Sequence, residues 1–239
     1  MSLLQKVPAP KLQLIALILL AVYPVAIVAS RMGLWGFKHS FLLFIIAAVV
    51  GFVVLVLSVL KMSMGDRQDS KALVIALLAT LGPIAILGNS VIKAKSSPFI
   101  HDISTDVANP PALIAAKADR IEGDHSVDYA GSEVAELQLA GYPDLKSVTF
   151  EESPANVFAT ARGAIEQNGW IVLAENNQAL PFTIEAVDTS LLFGFKDDIV
   201  VRISATETGS IVDVRSMSRV GKSDLGANAK RIEKLLNQL

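Results

Sequence analysis

Three arginines and two further polar residues near the C-terminus are spaced as an anion site would be. Arg215 and Arg219 close the alternating segment "VDVRSMSR", and Asp224, Asn228 and Arg231 follow a Gly-Lys-Ser-Asp turn. On a helix, positions i, i+4 and i+7 fall along one edge of one face, so the last three residues line up. Two readings compete. In one, Arg215, Arg219 and Arg231 hold an anion in a pocket shaped by Asn228. In the other, Asp224 pairs with an arginine and Asn228 satisfies backbone groups where the turn meets a sheet, since buried polar groups need partners whatever their purpose. A second constellation, "HDISTD", offers His101, Asp102 and Asp106 as metal donors, with Asp124, His125 and Asp128 further on. Neither group has the spacing of a metal motif. The alternative is a set of Asp, Ser and Thr side chains making turns, so no metal and no cofactor is expected. A third stretch, "SLLFGF", is apolar for a loop. Leu191, Leu192, Phe193 and Phe195 there form either a contact surface or a buried strand entry.

Little else in the chain points to catalysis. The three histidines, His39, His101 and His125, have no evident nucleophile beside them, and "GKSD" lacks the glycine pattern of a phosphate-binding loop. With no cysteine, thiolate chemistry and disulfides are excluded. A formal net charge of -2 suggests no nucleic-acid partner.

The elements that must position these residues differ between the two ends of the chain. Hydrophobic residues make up 52% of the sequence, and the mean hydropathy is +0.49. The excess sits in three runs, Leu12–Ser30, Phe41–Leu60 and Ala72–Ile92. Each is close to the roughly 20 residues a helix needs to cross the hydrocarbon core. Residues 1–92 are therefore expected to form a membrane domain of three spans. The first run is long for a signal peptide and reads as an uncleaved span. Pro24 and Pro83 are kink positions that membrane helices tolerate, and Ala47 with Gly51 is a small-xxx-small pair on the second run. Lys6, Lys11, Lys61, Arg67 and Lys71 flank one side; Arg31, Lys38, Lys93 and Lys95 flank the other. Five positives against four favour a cytoplasmic N-terminus and an exported, periplasmic C-terminal domain in a bacterial inner membrane.

Residues 93–146, with Pro98, Pro110 and Pro111, read as an extended strapped linker carrying a short helix from Ser132 to about Ala140. Residues 147–239 read as an α+β domain. Ser153 as N-cap, Pro154 and Gly169 bound a helix whose stripe is Val157, Phe158, Ala161 and Ile165. Antiparallel strands follow, ending in a hairpin about Thr208-Gly209. A two-residue turn there pairs Ile203 with Val214 and Ala205 with Val212, and sets Arg202 opposite Arg215 with Glu185 outward nearby. The last helix is expected to start at Ser223 and bury Leu225, Ala229, Ile232, Leu236 and Leu239. Packed helices on an antiparallel sheet give either a curved sheet gripping the last helix or a plainer two-layer sandwich.

"FGFKDDIVVRI" and "VDVRSMSRVGKSDLGANAKRI", preceded by "HDISTD" and "AELQLAGYPDL", together resemble the domain of unknown function 1499 family of bacterial and plastid proteins. The resemblance covers about Pro98 to Leu239. It implies a membrane-tethered domain and assigns no reaction, ligand or residue role. Three functions follow as expectations. The first is a non-enzymatic anchored domain that binds a membrane-protein partner, self-associates or serves as a subunit of a membrane assembly. The second is a domain binding membrane lipid or another amphiphile through an arginine-lined site. The third is a hydrolase using His101 and nearby aspartates.

Overall fold

The computed structural model describes residues 7–64 and 69–239, so Lys6 and Arg67 of the charge count lie outside the described residues. Three helices begin the chain: α1 (Ala9–Arg31), α2 (Phe37–Ser63) and α3 (Ser70–Ser96). Each contains one of the expected apolar runs, and each is long and apolar enough to cross a membrane. Pro24 lies inside α1 and Pro83 inside α3. Small residues let these helices approach: Ala47 and Gly51 are both buried on α2. A Cβ at Gly51 would meet the Thr80 methyl of α3 at 3.5 Å. Between α1 and α2, Tyr23 meets Phe44 edge-on at 4.5 Å. There the Ser40 hydroxyl donates to Ala26 O at 2.7 Å, satisfying a polar group buried among apolar side chains.

Residues 93–239 form a second compact unit. Its six-stranded antiparallel sheet has the order β1-β6-β5-β4-β3, with β2 also on β6. The strands are β1 (Asp102–Ser104), β2 (Val148–Phe150), β3 (Ile171–Asn176), β4 (Phe182–Thr189), β5 (Lys196–Ala205) and β6 (Ser210–Ser218). Between β1 and β2 come the single turn α4 (Ala115–Ala118) and α5 (Ser132–Gly141), and α6 (Pro154–Gln167) and α7 (Ala227–Leu236) complete the unit. The α+β class expected from the pattern is the one found. Both α6 and α7 pack on one face of the sheet. Val157, Ala161 and Ile165 of α6 and Ala229, Ile232 and Leu235 of α7 close over Ile184, Ile199, Val201, Ile203, Val212 and Val214.

The opposite face is covered too. Residues 105–131 leave β1 and run across the sheet and back as a strap. Leu113, Ala116 and Val127 make a smaller core there with Val200 and Met217. The segment read as a linker is thus a third layer. β1, at its start, is a strand on the edge of β6. The free edge of β1 is covered by Gln138 of α5, which is wholly buried. Gln138 accepts from Ser104 N at 2.9 Å and donates to Ser104 O at 2.6 Å, as a neighbouring strand would.

Two expectations need correction. The β5–β6 hairpin pairs Ile203 with Val212 and Ala205 with Ser210, so its loop is four residues long, and Arg202 faces Asp213 rather than Arg215. Core alternation cannot separate registers that differ by two, because both keep the same side chains inward. Charge separates them: the observed register puts opposite charges face to face. The hairpin loop also sits against β2, where a Cβ on Gly209 would come within 2.0 Å of Phe150 O. Helix α7 starts at Ala227, not Ser223, behind Gly226 in the left-handed region. Asp224 performs the capping instead, accepting from Gly226 N at 2.9 Å and Asn228 N at 2.8 Å. Leu235 is fully buried in place of part of the expected stripe.

Two glycines should respond with opposite sign. Gly163 of α6 has open space around it, so Gly163→Ala is expected to stabilise by about 0.5–1 kcal/mol through helix propensity. Gly209→Ala must displace β2 and should cost roughly 1–3 kcal/mol. Denaturant unfolding of the full chain in detergent, followed through the buried Trp170, measures both.

Candidate functional site

The charged motif residues sort by strand parity. On β6, Arg215 and Met217 face the strap, while Val214 and Ser216 face the helices. Arg231 comes from α7, on the helix side, and donates to Ser216 Oγ at 3.2 Å. The three arginines of the anion reading therefore lie on opposite faces of one sheet.

On the strap face, Arg215 is 2% exposed and Asp102 likewise. The guanidinium meets the carboxylate through two parallel bonds, Nε to Oδ1 at 2.9 Å and Nη2 to Oδ2 at 2.8 Å. It also donates to Pro111 O at 3.1 Å and Val127 O at 2.8 Å, so it clasps both passes of the strap. Arg219 repeats the device. It binds Asp198 through Nε and Nη2, the latter at 2.6 Å, and reaches Asp119 O at 2.9 Å. Arg120, on the strap, returns to Asp198 at 2.8 Å. Burial raises the Asp198 carboxyl above the usual carboxylate range, and the bonds from Arg219 pull it back. Arg202 holds Asp213 at 2.8 Å and the strap's Asp106 at 2.9 Å.

Glu185, expected beside the arginines, instead accepts from Ile114 N, Ala115 N and Ala116 N, each at 3.0 Å. It caps the single turn of α4 and offsets the cost of burying the donors at its start. This role left no sequence signal, because the cap lies about 70 residues from what it caps.

On the helix face, Arg231 joins Asp188 at 2.9 Å and Asp197 at 2.5 Å. These carboxylates stand directly opposite each other on β4 and β5 and would repel without it. Asn228 is wholly buried and fully used. Its Oδ1 accepts from Ser216 Oγ at 2.8 Å and Arg231 Nη1 at 2.5 Å. Its Nδ2 donates to His101 O and Ser218 Oγ, both at 3.0 Å.

The "HDISTD" residues go to separate places. Asp102 belongs to Arg215. Asp106 pairs with Arg202 and also accepts from Ala108 N and Asn109 N at 3.1 and 3.0 Å, which makes a turn. His101 stacks on His125, their ring centroids 4.1 Å apart at 24°. His125 Nε2 lies 3.0 Å from Gly221 O. Among the described residues, no three His, Asp or Glu side chains gather as a metal site.

The "SLLFGF" loop is a compact turn. Ser190 N donates to Phe195 O at 2.8 Å, Phe195 N donates to Ser190 Oγ at 2.9 Å, and Gly194 adopts φ +69°. Phe193 and Phe195 stack at 5.5 Å, and Leu191 is 84% exposed.

Residues 102–239 match the family described as "Protein of unknown function (DUF1499)". The match starts at Asp102, the partner of Arg215, so it takes in the strap as well as the sheet. No curated protein and no solved structure matches the chain.

Two measurements test the clasp. Arg215→Ala strands the buried Asp102 charge and should destabilise by about 3–5 kcal/mol, whereas Arg215→Met with Asp102→Leu should recover most of that. Hydrogen exchange over residues 110–128 should rise in the single variant alone. Burial, and secondarily the neighbouring His125, lowers the His101 pKa. The unfolded chain, with an ordinary histidine near 6.5, takes up that proton first, so stability falls as pH drops through about 6.5. Between about pH 7.5 and pH 5.5, wild type should lose more thermal stability than His101→Gln.

Proposed function

The chain belongs to the DUF1499 family, and on that premise we propose that it is a membrane-anchored, non-enzymatic binding protein. In this reading the three apolar helices hold it in the bacterial inner membrane with the N-terminus cytoplasmic. The exported sheet domain engages a membrane-protein partner through loop 190–195. The observation that carries the reading is a contrast between two kinds of surface. The motif arginines and carboxylates are turned inward on one another, which makes them fasteners. The loop holds Leu191 and Leu192 outward at 84% and 41% exposure on a backbone already ordered by Ser190. A pre-ordered apolar loop loses little entropy on binding, and exposed apolar side chains gain by leaving water.

The hydrolase alternative has less support. The carboxylate next to His101 is committed to Arg215, and the His125 ring nitrogen to a backbone carbonyl. The amphiphile alternative, in its form with an arginine-lined pocket inside the sheet, meets a filled helix-side core.

The absence of cysteine makes one variant sufficient for a test. Leu192→Cys in intact cells should react with a membrane-impermeant maleimide. After coupling to a benzophenone maleimide, it should photo-cross-link one discrete membrane protein, while Asn177→Cys, on the exposed β3–β4 turn, should not. Labelling only after permeabilisation would overturn the orientation, and identical cross-linking from both positions would overturn the loop as the contact.

A further inference from the structure

Helix α3 buries residues over only half of its apolar run. Leu73, Ala76, Ala79 and Thr80 are buried, and no residue from Leu81 to Ile92 is. By contrast, α2 buries residues from Ser40 to Lys61. The side of α3 left uncovered has a pattern. Ile75, Leu78, Gly82, Ala85, Asn89 and Ile92 recur at alternating intervals of three and four, the a and d positions of a coiled-coil heptad. All six are exposed. Leu78 and Ile92 are each 67% exposed, and a Cβ on Gly82 would meet nothing within 4 Å. Pro83 falls between seam positions.

Asn89 is the polar member of this seam. The nearby hydroxyls of Ser58, Thr80 and Ser90 each donate to the carbonyl four residues back, at 2.8, 2.9 and 3.0 Å. The Asn89 side chain makes no hydrogen bond among the described residues. Its carboxamide carries two N–H donors and an acceptor oxygen. Val91 and Ile92 continue the apolar run beyond it. On the reading that α3 crosses the membrane, hydrocarbon offers these groups nothing, so they need a protein partner.

What covers the seam follows from its own complementarity. Insertion gives every copy of the chain one orientation, so Asn89 of two copies lies at one depth. A carboxamide is its own complement: Nδ2 of one copy donates to Oδ1 of the other. Gly82 and Ala85 leave room for two backbones to approach. No charged residue interrupts the stripe from Ile75 to Ile92, so two copies meet without like-charge repulsion. A single asparagine at an a position also fixes register and oligomer state.

We propose that the chain forms a parallel homodimer through this face of α3, with Asn89 of one copy hydrogen-bonded to Asn89 of the other. The proposal rests on the reading of α3 as a membrane span and is independent of loop 190–195.

The cysteine-free chain lets the seam be scanned one position at a time. In isolated membranes oxidised with copper phenanthroline, Leu78→Cys, Ala85→Cys and Ile92→Cys should each give a disulfide-linked dimer. Leu87→Cys and Val91→Cys, off the seam, should not. Sedimentation equilibrium of the full chain in density-matched detergent micelles then measures the Asn89 contact. Asn89→Leu should weaken association roughly 3- to 30-fold, the range for hydrogen bonds between membrane helices. Asn89→Gln keeps the carboxamide and should stay within about 3-fold of wild type. Asn89 is exposed in the single chain, so neither substitution should lower the melting temperature of the sheet domain, and loss of the dimer is not loss of fold. Alkaline carbonate extraction separates failure of the dimer from failure of the spanning reading. A chain that resists extraction but cross-links equally at every position, at no seam position, or only to a different protein overturns the dimer alone. Asn89→Leu associating like wild type does the same. A chain released by carbonate overturns the spanning reading and the dimer with it.

Discussion

Arg215 carries a full charge to a place where 2% of its surface reaches solvent, and the strap face is arranged around satisfying it. An isolated guanidinium there would cost several kcal/mol, so the site is tolerable only with a counter-charge and with oxygen on the remaining donors. Asp102 supplies the charge from β1, which is why that three-residue strand must lie on β6. Pro111 and Val127 supply carbonyls from the outgoing and returning passes of the strap. One side chain thereby ties β6 to three points that lie 88 to 113 residues earlier in the chain. Arg219 and Arg202 extend the same logic along the sheet, toward Asp198 and Asp106.

This arrangement explains why so many charged residues occur on the inner strands of a sheet. Hydrophobic packing alone would cover the strap face with aliphatic residues and would leave the position of an irregular segment loosely specified. Directional bonds specify it. Arg215, Arg219 and Glu185 meet particular carbonyl or N–H groups of the strap, Arg202 and Asp198 meet its charged side chains, and a shift of one residue would leave several buried groups unpaired. The apolar cluster of Leu113, Ala116, Val127, Val200 and Met217 supplies attraction without direction. The polar pairs supply direction at a small net energetic gain. The helix face divides the labour the other way, with a large apolar core and one polar knot at Arg231, Asn228 and Ser216.

The same division bears on function. Groups whose bonding capacity is used up inside the fold have none left for a ligand, so the arginines that most resemble a site are poor candidates for one. The apolar loop at 190–195 is ordered by Ser190 and leaves Leu192 at 41% exposure.

The sequence by itself determined the three apolar helices, the α+β class, the α6 boundaries and the parity of β5 and β6. All of these rest on local signals: a run of about 20 apolar residues, a Ser-Pro cap, and alternation. It also held the correct partner classes, since Asn228 and the arginines were recognisable as groups that must be satisfied somewhere. Only the tertiary structure decided which partners they take. The hairpin register differs by two residues from a pattern that fits equally well by alternation. Glu185 caps a turn about 70 residues away, Gln138 stands in for a missing strand, and Asp102 waits for Arg215 across the whole domain. Those choices depend on which distant segments meet, and residue spacing carries no information about contacts made by folding the chain back on itself.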